Sequence, residues 1–255
     1  MSPRLAFAVE AAYRAGRSTL AHFQAGVGVD LKADLSPVTV ADRNAERMIR
    51  QAIAAVYPHD AILGEEEGGA SDALDRWVID PIDGTKSFVS GVPLYATLLS
   101  YEQDGQPILG VCYFPALGEM LYAERGQGCT LNGRPCRVSA KSDLPESVLA
   151  CGGPKSMIKY GRWDGFATLS GQTLATRTWS DAYGHALVAS GRIEAMVDPI
   201  VTRWDLSAIK ILIEEAGGKF TDFRGGDPFT SAAANDLEAV SSNGVLHEEI
   251  LRAFA

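Results

Sequence analysis

A short polar segment concentrates the side chains most capable of binding a metal ion. It reads D-P-I-D-G-T at positions 80–85 and directly follows an apolar, strand-like run. Pro81 restricts the backbone and has no amide hydrogen to satisfy. The turn can therefore direct three oxygens at one point, those of the Asp80 and Asp83 carboxylates and the Ile82 carbonyl. Three oxygen ligands within so short a segment are typical of a site for a hard cation such as Mg²⁺.

The end of the same segment is suited to binding a phosphate group. Gly84 lets an anion approach the backbone, and the successive amides of Gly84 and Thr85 can donate to its oxygens. The alternative is a plain turn in which the aspartates bind only neighbouring backbone groups. Taken alone, the segment leaves both interpretations open.

A two-metal site needs further carboxylates, and three more stand near the predicted ends of elements. Glu65 lies in the acidic run G-E-E-E-G at 64–68, Asp205 stands at the start of an apolar helix, and Asp42 stands at the start of an earlier helix. Each has an ordinary alternative, because acidic loops are usually solvated and an aspartate at a helix start usually caps it.

The apolar pattern predicts the elements that must position these residues. Apolar positions at helical spacing predict a first helix from Pro3 to Gly26 and a second helix that carries Asp42. Residues 92–140 read as antiparallel strands joined by tight turns. After a change of composition near 141–146, strands and helices alternate.

We therefore predict a mixed α/β (α+β) protein of two subdomains, with helices layered on sheets. The N-terminal α+β subdomain is expected to span residues 1–142 and to carry Asp42, Glu65 and the D-P-I-D-G-T segment. The C-terminal α/β subdomain is expected to span residues 143–255 and to carry Asp198 and Asp205.

The composition argues against several classes of protein. A chain of 255 residues with 46% apolar and 22% charged residues is ordinary for a folded protein. Its net charge of −9 opposes binding to nucleic acid. No apolar stretch reaches the roughly 18 residues that would suggest a membrane span, and we expect no secretory signal. The four cysteines form no C-x-x-C motif, and we expect all of them to be small core residues in a reducing cytoplasm: Cys112, Cys129, Cys136 and Cys151.

Three motifs together resemble the inositol monophosphatase family. They are G-E-E at 64–66, W-V-I-D-P-I-D-G-T at 77–85 and W-D-L-S-A at 204–208, and the helix after the last one ends in E-A-G-G at 215–218. They stand in the family's order and spacing, and the resemblance covers nearly the whole chain. It implies a layered α/β/α/β/α sandwich, a homodimer, and a Mg²⁺-dependent, lithium-sensitive phosphate-monoester hydrolase.

The resemblance also implies the metal ligands by position. Glu65, Asp80 and the Ile82 carbonyl correspond to the ligands of a first metal. Asp80, Asp83 and Asp205 correspond to those of a second. Glu65 would also touch a third, weaker metal through water, so two or three Mg²⁺ ions are expected.

The catalytic residues implied by the resemblance are Asp42, Thr85 and Glu65. Asp42 and Thr85 correspond to the pair that orients the attacking water, and Gly84 and Thr85 to the phosphate cradle. Two metals about 4 Å apart stabilise the attacking and leaving oxygens and activate the water. This scheme needs no covalent enzyme intermediate.

Within the family, the chain looks most like the histidinol-phosphate phosphatases. This resemblance rests on two motifs. The first is D-G-T-K-S-F at 83–88 with G-V-P-L at 91–94, and the second is S-D-A-Y-G-H at 180–185. In the second motif Ser180 replaces a glycine and His185 replaces an aromatic residue of that branch. The segment 32–42 resembles a variant of the family's mobile active-site loop.

Histidinol phosphate carries an ammonium and an imidazole, which need anionic partners. Asp181 and Asp198 are the candidates, and Lys32 can reach the phosphate. Each has an alternative, since Asp181 also suits a helix cap, Asp198 a strand end and Lys32 a solvated surface. His185 is expected to be packed or exposed rather than catalytic. The expected reaction converts histidinol phosphate and water to histidinol and phosphate, a step of histidine biosynthesis.

Other functions remain open on these motifs. The same scaffold serves inositol-1-monophosphatases, 3′-phosphoadenosine 5′-phosphate phosphatases and sugar bisphosphatases, whose metal motifs are shared. A non-enzymatic regulatory protein on this scaffold is the alternative from another class, because a fold does not fix a function. The complete set of carboxylates and the acidic charge favour the enzyme.

Overall fold

The computed structural model of the protein describes residues 1–32, 36–179, 181–230 and 235–255. Ser180, which begins the S-D-A-Y-G-H motif, and residues 33–35 of the predicted active-site loop lie outside the described residues.

Helices and strands alternate along most of the chain. The helices among the described residues are α1 (Pro3–Thr19), α2 (Val40–Val56), α3 (Thr85–Val89), α4 (Pro154–Lys159), α5 (Trp163–Ser170), α6 (Asp181–Ala189), α7 (Arg203–Glu215) and α8 (His247–Arg252). The strands are β1 (Val29–Leu31), β2 (Pro37–Thr39), β3 (Ala61–Gly64), β4 (Gly68–Gly69), β5 (Arg76–Asp83), β6 (Ala96–Gln103), β7 (Gln106–Phe114), β8 (Glu119–Glu124), β9 (Cys129–Leu131), β10 (Arg134–Cys136), β11 (Val148–Cys151), β12 (Ala175–Arg177), β13 (Ala195–Val201), β14 (Lys219–Thr221) and β15 (Leu237–Ser242). No helix of the described chain has the length and apolar character needed to cross a bilayer.

The strands form two large sheets and one small hairpin. The larger sheet has eight strands in the order β10-β9-β8-β7-β6-β5-β3-β4, and the smaller has five in the order β12-β11-β13-β15-β14. Strands β1 and β2 pair separately. The larger sheet uses strands before residue 137 and the smaller one strands after residue 147, so the predicted boundary at 142 falls between them. The division into subdomains itself stays a prediction.

Three apolar cores stack the elements into five layers. One face of the larger sheet buries Trp77 and Leu99 against α1 and α2. Its opposite face packs on α6 and α7, which also cover one face of the smaller sheet. The remaining face of the smaller sheet packs on α4, α5 and α8. The predicted α/β/α/β/α sandwich is therefore confirmed, and α6 and α7 form its middle layer.

Helix α1 is shorter than its sequence suggested. Ser2 caps it by accepting from the amide of Leu5 at 3.1 Å. The helix ends at Thr19 rather than at Gly26. Successive turns then bring Phe23 within 5.1 Å of Tyr95, measured between ring centroids, in a separate small apolar cluster. Phe23, predicted to belong to the helical stripe, thus packs from the turns that follow the helix.

The cysteines differ in their surroundings, although all four are free thiols. Cys112, Cys129 and Cys151 are buried core residues, as predicted. Cys136 is only half-buried, because β10 is the edge strand of the larger sheet. The expectation that all four are core residues is wrong for Cys136.

A buried ionic network fixes the start of α7 against the larger sheet. The Glu102 carboxylate accepts from Nε of Arg76 at 2.9 Å and from Nε of Arg203 at 2.8 Å. The hydroxyl of Ser207, one turn into α7, also donates to Glu102 at 2.8 Å. All three charged side chains are 0% exposed. Because Arg203 is the first residue of α7, this network ties the first turn of the helix to the larger sheet.

We expect Glu102→Gln to lower the free energy of unfolding by about 3–5 kcal/mol, because it leaves two buried guanidinium groups without their shared counter-charge. Urea unfolding measures the loss. The matched control is Glu119→Gln, which breaks a partly exposed pair with Arg192 and should cost under about 1 kcal/mol. Equal losses in the two variants would contradict a special role for Glu102.

Candidate metal and phosphate site

Three aspartates converge where strand β5 ends and helix α7 begins. Asp80, Asp83 and Asp205 each place a carboxylate oxygen within 4.8 Å of the other two. Asp80 is 1% exposed, and within the described part of the chain its Oδ1 is buried with no hydrogen-bond partner. A buried carboxylate oxygen without a donor is costly unless a cation binds it. The donor set, all hard oxygens, fits Mg²⁺.

Local backbone structure aims these carboxylates. The register of β5 against β6 shifts between Asp80 and Asp83, which turns both side chains toward the same region. Oδ2 of Asp83 accepts from the amide of Ala182 at 2.7 Å. Oδ2 of Asp205 accepts from the amide of Thr202 at 2.7 Å and from its hydroxyl at 2.8 Å. In Asp83 and Asp205 one oxygen is thus fixed and the other is left for the shared point.

Asp42 is held in the same way on a different element. It is the third residue of α2, and its Oδ2 accepts from the amide and the hydroxyl of Thr39 at 2.8 and 2.6 Å. Its other oxygen, Oδ1, lies 3.5 Å from the Thr85 hydroxyl. That hydroxyl also lies 3.1 Å from the carbonyl oxygen of Ile82. Thr39, not Asp42, is therefore the N-cap of α2; Asp42 completes the capping box with one oxygen and pairs with Thr85 through the other.

Glu65 lies beside the three aspartates but is engaged by a lysine. Its Oε1 accepts from Nζ of Lys32 at 2.7 Å, and the same ammonium donates to Glu66 at 2.8 Å. Burial alone would lower the pKa of Lys32, but the charges of Glu65 and Glu66 raise it above its ordinary value. Lys32 thus stays cationic and neutralises part of the acidic site. Its predicted contact with a substrate phosphate stays a prediction.

Burial and mutual repulsion raise the pKa of every carboxyl in this group. Burial, and then the charges of its acidic neighbours, raise the pKa values of Asp80 and Asp83 well above the ordinary range. Burial raises the pKa of Asp205 as well. Burial also raises the pKa of Glu65 to about 7, although Lys32 opposes the shift. These carboxyls can ionise together only if a cation compensates them.

Gly84 and Thr85 stand next to the aspartates at the start of α3. Gly84 has a left-handed backbone, with φ of 77°, and a Cβ there would lie 2.9 Å from Oδ2 of Asp181. Glycine is therefore required both by the backbone angle and by the close approach of Asp181. Both residues line the cleft in which the aspartates lie, as the predicted phosphate cradle requires.

The cleft has a volume of about 330 Å³ and an acidic wall. Asp181 and Asp198 line it, together with Lys86, Gly152 and His185. Asp181, at the first position of α6, has an unusual positive φ of 60°. Asp198, on β13, is 6% exposed. The two residues predicted to contact a cationic substrate are thus brought into one cleft with the predicted metal ligands.

Sequence reasoning did not place His185 in the cleft. Its Nε2 lies 3.0 Å from Oδ2 of Asp198, and its Nδ1 lies 2.7 Å from the hydroxyl of Ser241. It is packed, as expected, but it also lines the cleft. One signal was available, because Asp181 and His185 are four residues apart on a predicted helix and therefore share a face.

The chain belongs to the inositol monophosphatase family, whose sequence pattern matches residues 1–255. It is similar to a histidinol-phosphatase of Chlorobaculum parvum, 44% identical over 88% of either chain. A histidinol-phosphatase of Mycobacterium tuberculosis is 38% identical over 97% of this chain and 96% of its own. The solved structure of an IMPase from Thermotoga maritima superposes with a TM-score of 0.88 at 33% identity, covering 99% of this chain and 97% of that one. The protein is accordingly a metal-dependent phosphatase, a phosphoric monoester hydrolase.

Magnesium binding is expected to tighten as the pH rises from about 6 to about 8, because Mg²⁺ must displace protons from carboxyls whose pKa values are raised. Carboxyls whose pKa values are higher in the folded than in the unfolded state destabilise the metal-free protein as the pH rises. Mg²⁺ should therefore raise Tm more at about pH 8 than at about pH 6. Thermal unfolding with and without Mg²⁺ checks this.

The matched variants separate this site from general salt effects. Asp83→Asn should lose most of the Mg²⁺-dependent rise in Tm. Asp222→Asn, which alters an aspartate bound to the backbone of an exposed turn, should keep it. An equal Mg²⁺ effect at both pH values, or in both variants, would contradict the assignment.

Proposed function

We propose that this phosphatase is a histidinol-phosphatase, converting histidinol phosphate and water to histidinol and phosphate. The observation that carries the proposal is the acidic wall, since Asp181 and Asp198 line the same cleft as Asp80, Asp83 and Asp205. The relatives named histidinol-phosphatase at 44% and 38% identity support it.

The cleft offers different chemistry to the two ends of such a substrate. The phosphate would bind at the Gly84 and Thr85 end, near the aspartates that would hold Mg²⁺. The ammonium and the imidazole would face Asp198 and Asp181, the second of which lies beside Gly84. Charge-assisted hydrogen bonds are the strongest polar contacts available there. A neutral polyol would gain less from two carboxylates, because it brings no positive charge to their wall.

Two or three Mg²⁺ ions would be held by Asp80, Asp83 and Asp205, with Glu65 and the Ile82 carbonyl. When bound, they supply positive charge that neutralises the phosphate and stabilises the charge that develops during hydrolysis. When the Thr85 hydroxyl donates to the Ile82 carbonyl, the second lone pair of that carbonyl is still available for a cation.

The chain's own residues would orient the attacking water. The Thr85 hydroxyl has one proton, which it can donate to either Asp42 or Ile82, and its lone pairs remain free to accept. A water donating to Thr85 and Asp42 would direct a lone pair toward the phosphorus. Asp42 is fully buried and fixed by Thr39, so this geometry would be set before substrate binds.

Inositol-1-monophosphatase is the second candidate, because structural similarity to the Thermotoga maritima IMPase extends over 99% of this chain. A 3′-phosphoadenosine 5′-phosphate phosphatase and a non-enzymatic regulatory protein are weaker candidates. Neither explains why a second pair of carboxylates, Asp181 and Asp198, lines the cleft. Cytoplasmic location and a homodimer are expected as in the family.

Phosphate release should show a preference of at least about 10-fold in kcat/KM for histidinol phosphate over inositol 1-phosphate and 3′-phosphoadenosine 5′-phosphate, in Mg²⁺ at neutral pH. Asp198→Asn should reduce that preference by about 10- to 100-fold, since it removes one charged hydrogen bond. Hydrolysis of inositol 1-phosphate should change little in this variant, which makes it the internal control. A wild-type preference for inositol 1-phosphate would overturn the proposed substrate and leave the metal chemistry intact.

A further inference from the structure

A buried chain of three polar side chains runs from the smaller sheet to the cleft. Ser241 on β15, His185 on α6 and Asp198 on β13 are 0%, 2% and 6% exposed. The hydroxyl of Ser241 lies 2.7 Å from Nδ1 of His185, and Nε2 of His185 lies 3.0 Å from Oδ2 of Asp198. Met196 pairs with Ser241 across the strands, and Asp198 lies two residues after Met196 on β13. The side chains of Ser241 and Asp198 therefore lie on the same face of the sheet, where His185 of α6 contacts both.

The two hydrogen bonds fix the orientation of the ring. An ionised carboxylate can only accept, so Nε2 of His185 carries the proton donated to Asp198. Nδ1 faces the hydroxyl of Ser241, which can donate or accept. The ring therefore holds Oδ2 of Asp198 from one side and is itself held by Ser241 from the other.

The second oxygen of Asp198 is directed toward the cleft lining. A Cβ on Gly152 would lie 2.1 Å from Oδ1 of Asp198, so only glycine leaves space for this oxygen. Gly152 and Asp198 both line the cleft. Oδ2 is thus bound to His185, while Oδ1 lies against the backbone of Gly152 in the cleft lining.

We propose that His185 is a positioning residue for substrate selection, holding Oδ2 of Asp198 so that Oδ1 meets a cationic group of the substrate. The inference rests on the proposed function, because it concerns the group that Asp198 binds. His185 touches no reacting atom and acts only through Asp198. It therefore affects which substrate is selected and not the rate of the chemical step.

The test compares His185→Phe with His185→Gln, whose amide can still donate to Asp198. His185→Phe should raise KM for histidinol phosphate about 10-fold, the effect of losing one hydrogen bond to a charged group, and change kcat less than about twofold. KM for inositol 1-phosphate should stay the same. His185→Gln should recover most of the loss.

Two results would overturn this positioning role. Equal losses on both substrates, together with a lower Tm, would mean that His185 only supports the fold. An unchanged KM in His185→Phe, where Asp198→Asn raises it, would mean that Asp198 needs no positioning while the proposed function stands. A wild type that shows no preference for histidinol phosphate would contradict the proposed function itself. Calorimetric binding of histidinol to the two His185 variants would then test the positioning role by itself, with weaker binding by His185→Phe than by His185→Gln expected.

An independent observation concerns the hairpin at the edge of the larger sheet. Cys129 and Cys136 are direct partners in the antiparallel pair β9–β10, and their sulfur atoms lie 3.4 Å apart. Opposed residues of such strands have Cα atoms about 4.5–5.5 Å apart, which is within the range of a disulfide. Cys136 is half-buried and so reachable by a small reagent, whereas Cys129 is buried.

We infer that this pair is a reversible thiol-modification site for small disulfides. The Cys136 thiolate attacks a sulfur of the small disulfide and releases one small thiol. The Cys129 thiol then loses its proton and attacks the sulfur of Cys136, forming the protein disulfide and releasing the second small thiol. Two protein thiols and one small disulfide thus become one protein disulfide and two small thiols.

Incubation with oxidised glutathione tests this site. Thiol titration after denaturation should fall from the four cysteines of the chain to two, with a mass loss of two hydrogens and no bound glutathione. Cys151→Ser, which leaves the pair intact, should also lose two thiols, whereas Cys129→Ser should keep glutathione on Cys136. Retention of all four thiols, or stable glutathione on wild-type Cys136, would overturn the inference.

Discussion

The organisation of this molecule depends on the repulsion among carboxylates that the fold buries at one point. Asp80 and Asp83 arrive on β5, Asp205 on α7, and Glu65 follows β3. Burial and the negative charge of neighbouring carboxylates raise the pKa of each group. A positive charge bound among them would therefore stabilise their ionised forms. Lys32 supplies one positive charge at Glu65, and a divalent cation is suited to the three aspartates. The cleft, its glycines and its acidic wall are arranged around this cluster.

The same hydrogen-bonding arrangement fixes the orientation of several of these carboxylates. In Asp42, Asp83 and Asp205 one oxygen is bound by a backbone amide and the other is left for the site. In Asp198 one oxygen is bound by the imidazole of His185 instead of a backbone amide. Fixing one oxygen limits the rotation of the carboxylate, so less entropy is lost when a ligand binds the second one. Helix starts and strand ends thus serve both the fold and the site.

The local parts of this site could be predicted from sequence, and the long-range ones could not. The D-P-I-D-G-T segment carries its own turn geometry, so spacing alone made Asp80, Asp83 and Gly84 candidates, and the other two motifs favoured a metal site over a plain turn. The five layers followed from the family resemblance.

The long-range pairs could not be predicted. Glu102 and Arg203 are 101 residues apart, and Ser241 lies 56 residues from His185. No local pattern records such pairs, because they depend on how the sheets and helices pack. The length of α1 was wrong for the same reason, since Phe23 leaves the helix to join a distant cluster.

The placement of α7 in the middle layer has a consequence for motion. Both sheets pack on this helix, and its first turn carries Asp205 and is tied to Glu102. Asp205 lines the cleft, so a ligand reaches it without any opening of the core. Moving Asp205 away from the site would pull the first turn of α7 from the larger sheet and break the buried pair of Arg203 with Glu102. The position of Asp205 is therefore held by the same packing that keeps the protein folded.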